Sequence, residues 1–443
     1  MKSMNRATIF AGAFAVAAIA AIGLWPAYLR SASAAARASA LPTAAPVAAD
    51  YATRDATIAF WERMVAHHNP EDMISPRNAA QQYLQRYRER GDIDDVLRAE
   101  RDAKLSMRAQ PRGNVGAELE LASAFLTLHR FADALTMTRH VESYFHDDRM
   151  YPREATLDLE VGAYDRARER LNAVSLRDRD DAWRVIESRY LELTGHLAQA
   201  RELLATATAN ENAVFDNPAQ QRAWYFFRAG EMAFEAGEND AAIADENEAL
   251  AIFPNYSEAN RFKARFECAL HRWKACLDDA TASANVVPYP ETLGYEADAQ
   301  RALGDAAGAA RTDDLIGTIG RIGNAQHISD RLLATYYADH RIHTAEAYRI
   351  AKRELLARDD IFTEDTLAWA AAMDGRWEDA RVHERRALRF DTENALLQYH
   401  AGVIALHFGE RAEARTRFER ALALNPSFHP YFADDARARI ARL

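Results

Sequence analysis

Small residues return along this chain at a fixed spacing, and the period is 34 residues. Near the C-terminus the set is Gly402, Gly409, Ala414, Ala421 and Pro426. One period earlier it is Ala368, Gly375, Ala380 and Ala387, with Thr392 in the proline place. Mid-chain the same steps give Gly230, Gly237, Ala242, Ala249 and Pro254, then Ala264, His271, Cys276, Ser283 and Pro288. Two helices approach closely only where side chains are small, so Gly230 against Ala242 and Gly402 against Ala414 mark tight crossings. The second glycine of each set falls in the turn between the helices. Proline ends the second helix, because it lacks an N–H and clashes with the preceding turn. Such a chain is built to present a surface rather than to house a catalytic cleft.

This spacing resembles the tetratricopeptide repeat, whose unit is a 34-residue pair of antiparallel helices. The aromatic that opens the second helix (Phe131, Tyr164, Trp273, Trp377) recurs with it. The resemblance implies an all-α, right-handed superhelical solenoid of about ten helical hairpins with a capping helix at each end. Leu84, Gly91, Val96 and Ala103 carry the first repeat, and Ala122, Phe131, Ala134 and Val141 the second. The third has Ala155, Gly162, Tyr164 and Ala167, and the fourth Ser188, Gly195, Leu197 and Ala200. Phe215 to Arg222 reads as an insertion before the fifth and sixth, which run without a gap from Ala223 to Pro290. The seventh has Ala297, Gly304 and Ala309 and ends in the glycine-spaced stretch Gly317, Gly320, Gly323. The eighth, around Ala334 and Ala347, is degenerate, whereas the ninth and tenth cover Ile361 to Phe428. The expected organisation is an export segment (1–34), an Ala/Pro-rich linker (35–50), a capping helix (51–76), repeats (77–428) and a closing helix (429–443).

Composition agrees with a chain of helices: hydrophobic residues make up 49%, and glycine and proline number only 18 and 13. A net charge of −11 argues against a broad nucleic-acid footprint, which needs a basic face. At the N-terminus, Lys2 and Arg6 precede 19 uncharged, mostly apolar residues, Ala7 to Trp25, and Ala32-Ser33-Ala34 has the small-x-small form that a signal peptidase accepts. A cleaved export signal and a retained anchor both fit, since a bilayer span takes roughly 20 apolar residues. In either case the basic N-terminus stays in the cytoplasm and the body is delivered outward.

In the tetratricopeptide family the first helix of each pair lines the concave face. Carried onto the clearest repeats, that pattern puts Trp224, Phe227, Glu231 and Phe234 there, followed by Glu258, Arg261, Arg265 and Cys268, then Asp298 and Arg301. Rings beside arginines suit a partner peptide or tail: apolar anchors and guanidinium forks for carboxylates. The expected partner-binding set is Trp224, Phe227, Glu231, Phe234, Arg261, Arg265, Asp298 and Arg301, with the arginines exposed and dispensable for folding. A second aromatic group, Phe362, Trp369 and Tyr399, is expected where the superhelix curls.

The two cysteines, Cys268 and Cys276, lie in the two helices of one repeat with His271 between them. Packing is the favoured reading over a disulfide, because facing helices lie about 8–10 Å apart. The seven-residue gap is not a usual zinc spacing. The 14 histidines read as scattered surface residues; His340 and His343 flank a turn, and His383-Glu384 lacks the second histidine of a zinc protease. No catalytic, metal or cofactor site is therefore expected. The functional expectation is a non-enzymatic scaffold outside the cytoplasmic membrane that holds a protein or peptide in its groove. The alternatives are an assembly chaperone or carrier for an exported enzyme, or a component of a polysaccharide or secretion export complex.

Overall fold

The structure is a computed structural model that describes residues 50–443, apart from 68, 149, 215 and 326–330. The stretch expected to be an export segment, and the expected linker up to residue 49, lie outside the described residues. Among those described, no helix is long and apolar enough to cross a membrane.

Among the described residues, α1 (Asp50–Ala66) precedes ten antiparallel hairpins, and α22 (Phe432–Ile440) follows them. Hairpins 1 to 3 pair α2 (Ile74–Arg90) with α3 (Ile93–Ala109), α4 (Val115–Thr127) with α5 (Phe131–Glu142), and α6 (Met150–Glu160) with α7 (Tyr164–Ala173). Hairpins 4 to 6 pair α8 (Asp181–Leu193) with α9 (Leu197–Asn212), α10 (Ala219–Glu235) with α11 (Asn239–Ile252), and α12 (Ser257–Ala269) with α13 (Trp273–Ala284). Hairpins 7 and 8 are α14 (Pro290–Ala302) with α15 (Ala306–Ala325), and α16 (Arg331–Asp339) with α17 (Thr344–Ala357). Hairpins 9 and 10 are α18 (Ile361–Met373) with α19 (Trp377–Ala387), and α20 (Ala395–His407) with α21 (Arg411–Leu424). This is the all-helical tetratricopeptide-type solenoid that the spacing implies.

Local chemistry fixes the helix starts. Asp180, Asp360 and Asn394 cap α8, α18 and α20, each side-chain oxygen accepting from free backbone N–H groups of the first turn. The small positions are buried at the crossings: Ala242, Ala249, Ala414 and Ala421 have no exposed surface. A side chain on Gly402 would lie 2.6 Å from the Phe418 ring. The glycine-spaced stretch is not a break, since α15 runs unbroken through it. A Cβ on Gly320 would sit 2.8 Å from Leu333, so the small residue admits α16.

Cys268 and Cys276 are joined by a disulfide with Cα atoms 5.1 Å apart, against the expectation of simple packing. Helix axes about 8–10 Å apart bring facing Cα atoms far closer, because each Cα stands about 2.3 Å off its axis toward the partner. Both residues also lie near the turn of hairpin 6, where its helices meet.

A linear solenoid touches only its neighbours, but this one closes on itself. The turn of hairpin 1 meets the segment before hairpin 7, and a Cβ on Gly91 would lie 2.1 Å from Val287. The turn of hairpin 3 meets the segment before hairpin 9, where a Cβ on Gly162 would lie 1.8 Å from the Asp359 carbonyl oxygen. Hairpin 4 does the same before hairpin 10 (Gly195, 2.5 Å from the Asp391 carbonyl), and hairpin 5 before α22 (Gly237, 2.6 Å from the Leu424 carbonyl). One superhelical turn therefore takes six hairpins. Hydrogen bonds close this seam: Thr392 donates to the Leu193 carbonyl (2.6 Å), Asn425 to the Phe234 carbonyl (2.7 Å), and the Ile361 N–H to the Tyr164 hydroxyl (3.1 Å). The first of these satisfies an orphan carbonyl in the last turn of α8. Thr392 stands in a proline place and supplies a donor that proline lacks.

Candidate functional site

Closing the seam turns the concave face into a cavity of about 220 Å³, walled by the first helices of hairpins 4 to 10 and floored by Phe428 and His429. The curl joins the two aromatic groups that are separate in sequence, because Trp224 and Phe227 line the same space as Phe362 and Trp369. Tyr399 is packed behind, stacked on Phe432 at 4.7 Å.

Of the eight expected partner-binding residues, Trp224, Phe227, Glu231, Arg261, Arg265 and Asp298 line this cavity. Phe234 is core, stacked on Phe266 with ring centres 4.4 Å apart. Arg301 points away, bridging Asp298 (3.0 Å) and Asp313 (2.5 Å) on the exposed side. The inner arginines are not free forks. Arg261 is 4% exposed and bonded to Glu258 and Glu291, while Arg265 pairs with Glu235 at 3.3 Å. Burial works against the charge on Arg261, and the two glutamates outweigh it, so its pKa rises. Arg228 joins Glu192 (2.7 Å) to Glu231, and Arg189 also pairs with Glu192 (2.8 Å). The expectation that Arg261 is exposed and dispensable for folding is corrected: its removal strands two partners in a water-poor interior.

Histidines expected at the surface form part of the wall. His340 places Nδ1 2.9 Å from the Tyr336 carbonyl and Nε2 3.0 Å from Asp298, so both nitrogens face acceptors, an arrangement that favours the protonated ring. Burial opposes that charge, but the Asp298 contact outweighs it and raises the pKa. His400 bonds Asp365 through Nδ1 (3.0 Å) and stacks on Trp369, with centroids 4.2 Å apart. Asp339 accepts from Trp369 Nε1 (2.8 Å), and burial pushes its carboxyl up to about 6. His429 accepts the Tyr431 and Phe432 N–H groups at the start of α22, and burial, with His340 and His400 near, holds it well below the usual imidazole range. Its Nε2 lies 3.9 Å from Asp339. These groups come from hairpins 7 to 10 and the closing helix, so no local motif announces them. Among the described residues no group has the geometry to hold a metal ion.

No family model matches the chain, and no curated protein matches it. Similar solved structures include yeast Tom70, at 13% identity over 88% of this chain and 93% of that one, TM-score 0.34. A tetratricopeptide repeat protein from Parabacteroides merdae is 18% identical over 59% and 97%, TM-score 0.31. A human IFIT1 dimer with PPP-AAAA is 13% identical over 85% and 88%, TM-score 0.45. The class assignment rests on this chain's own hairpins: an all-helical repeat solenoid whose inner face has closed into a cavity.

Proposed function

We propose that the protein is a non-enzymatic interaction scaffold, delivered outside the cytoplasmic membrane, that takes the end or a projecting side chain of a partner protein into its inner face. The observation that carries this reading is the convergence of six of the eight inner-face residues, with Phe362 and Trp369, on one cavity. Rings supply apolar contact there, and the polar groups between them fix orientation. The cavity suits a terminus rather than a long threaded peptide, being smaller than the roughly 300–1,000 Å³ of drug-sized sites. Two features support export: the basic–apolar–small order of residues 1–34, and the Cys268–Cys276 disulfide, a bond that persists in oxidising compartments.

Leu396 lines the cavity and carries no charge, so a photo-crosslinking residue there strands no ion pair. It is expected to capture a discrete partner protein in intact cells, while the same residue at exposed Lys274 does not. Capture from position 274 and none from position 396 would put the binding face on the outside of the solenoid. A reporter active only in the cytoplasm, fused to the C-terminus, is expected to stay silent; full activity would contradict export.

A further inference from the structure

We propose that the inner cavity is a binding site for one small organic anion, a carboxylate carried on an apolar body. The site does not depend on the partner-protein reading. Its motive is a set of buried polar atoms that the fold leaves without partners around one space.

Arg331, at the start of α16, lines the cavity, and its side chain forms no hydrogen bond or ion pair among the described residues. The acids nearest it are taken. Arg358 holds Glu160 at 3.0 Å, Glu354 at 3.1 Å and Asp360 at 3.3 Å. Arg331 is left as a desolvated guanidinium beside a second one, and burial and Arg358 together pull its pKa down. Its nearest π-surface is the ring of Phe362, 5.8 Å away. The other cavity arginines (189, 228, 261, 265) all have carboxylate partners, so a second negative group has only Arg331 to meet.

Two further atoms point to the same ligand. Trp224 is 3% exposed, lines the cavity, and its indole N–H has no acceptor. A buried donor without a partner is costly, and a ligand oxygen removes that cost. His400 is 2% exposed; its Nδ1 is bonded to Asp365, and its Nε2 has no partner. Nε2 is a second unfilled hydrogen-bonding position on the same space. Phe362, Trp369, Leu396 and Leu397 supply apolar surface in the same lining, and the acids beside them, Asp339 and Asp365, are already bonded to Trp369 and His400. Donors on one side and rings and leucines on the other describe a carboxylate with an apolar body.

A free carboxylic acid and the C-terminal residue of another chain share this chemistry. The purified full chain is titrated by calorimetry with phenylacetate and phenylacetamide, and with a five-residue peptide ending in free or amidated phenylalanine. Saturable one-to-one binding of at least one acid is expected, with its amide at least about tenfold weaker. Tighter binding by the peptide acid assigns the site to a chain terminus, and binding by phenylacetate alone assigns it to a free acid. Arg331→Met is expected to weaken the acid about tenfold or more without lowering the thermal midpoint, since the Arg331 side chain holds no other residue among those described. Trp224→Phe keeps an aromatic, though smaller, side chain, removes the N–H, and is expected to weaken binding severalfold; it decides the matter if Arg331→Met does not fold. No acid binding at millimolar concentration, equal affinity for acid and amide, or unchanged affinity in the folded variants would overturn the proposal.

Discussion

At the scale of single residues, the turn glycines divide into two kinds that the sequence does not distinguish. Gly162 and Gly375 have the same left-handed backbone, φ 75° and 77°. Nothing lies within 4 Å of a Cβ on Gly375, while on Gly162 the Asp359 carbonyl stands at 1.8 Å. Gly375→Ala is therefore expected to cost only the left-handed strain, about 1–2 kcal/mol. Gly162→Ala must also push two backbones apart, and a loss of at least about 3 kcal/mol is expected in urea unfolding. Equal losses would contradict the seam. Asp339 gives a second residue-scale prediction. Its folded pKa is raised, to about 6, so its stabilising contribution is present at low pH and lost as the pH rises through about 6. His340, His400, His429 and Asp365 face it, and Asn in its place can still accept from Trp369 Nε1. Asp339→Asn is expected to match the parent near pH 4 and to exceed its stability by up to about 3 kcal/mol at pH 8. A constant difference across that range would count against it. Choosing inner-face residues by helical phase found six that line the cavity. It misjudged Phe234 and Arg301, because phase says which side of a helix a residue takes and not what crosses from the next turn. For the same reason the His–Asp wall was not legible.

At the scale of elements, the helices were legible because the hairpins repeat one local solution, a small crossing residue and a left-handed turn, joined in several of them by a side-chain cap or a closing proline. The disulfide was not, because axis separation is a poor guide to Cα separation at a tight crossing. Hairpin 8 departs most from the pattern. Its turn carries two non-glycine residues in the left-handed region, Arg341 and His343. Strained turn residues lower local stability. Backbone hydrogen exchange is expected to be faster in α16 than in α18. The reverse order would show that docking of α16 against Gly320 outweighs the strain of its turn.

At the scale of the whole molecule, a stack of hairpins is bound by nearest-neighbour contacts, and the closed seam adds bonds between residues nearly two hundred positions apart, such as Arg358 with Glu160. The repeat period names the hairpin, but the pitch accumulates from small rotations at each interface, so closure after six hairpins was beyond the sequence. On that closure rests the cavity, and on the cavity rests every functional statement about the inner face. His196 and Asp391 are exposed neighbours of the Gly195–Asp391 contact, on opposite sides of the seam. Cysteines placed at these two positions, in dilute full-length protein treated with a short bifunctional maleimide, test the closure directly. Rapid intramolecular crosslinking, abolished by urea, is the expected result. Two labelled but unlinked cysteines in the folded protein would mean an open solenoid and would contradict the account.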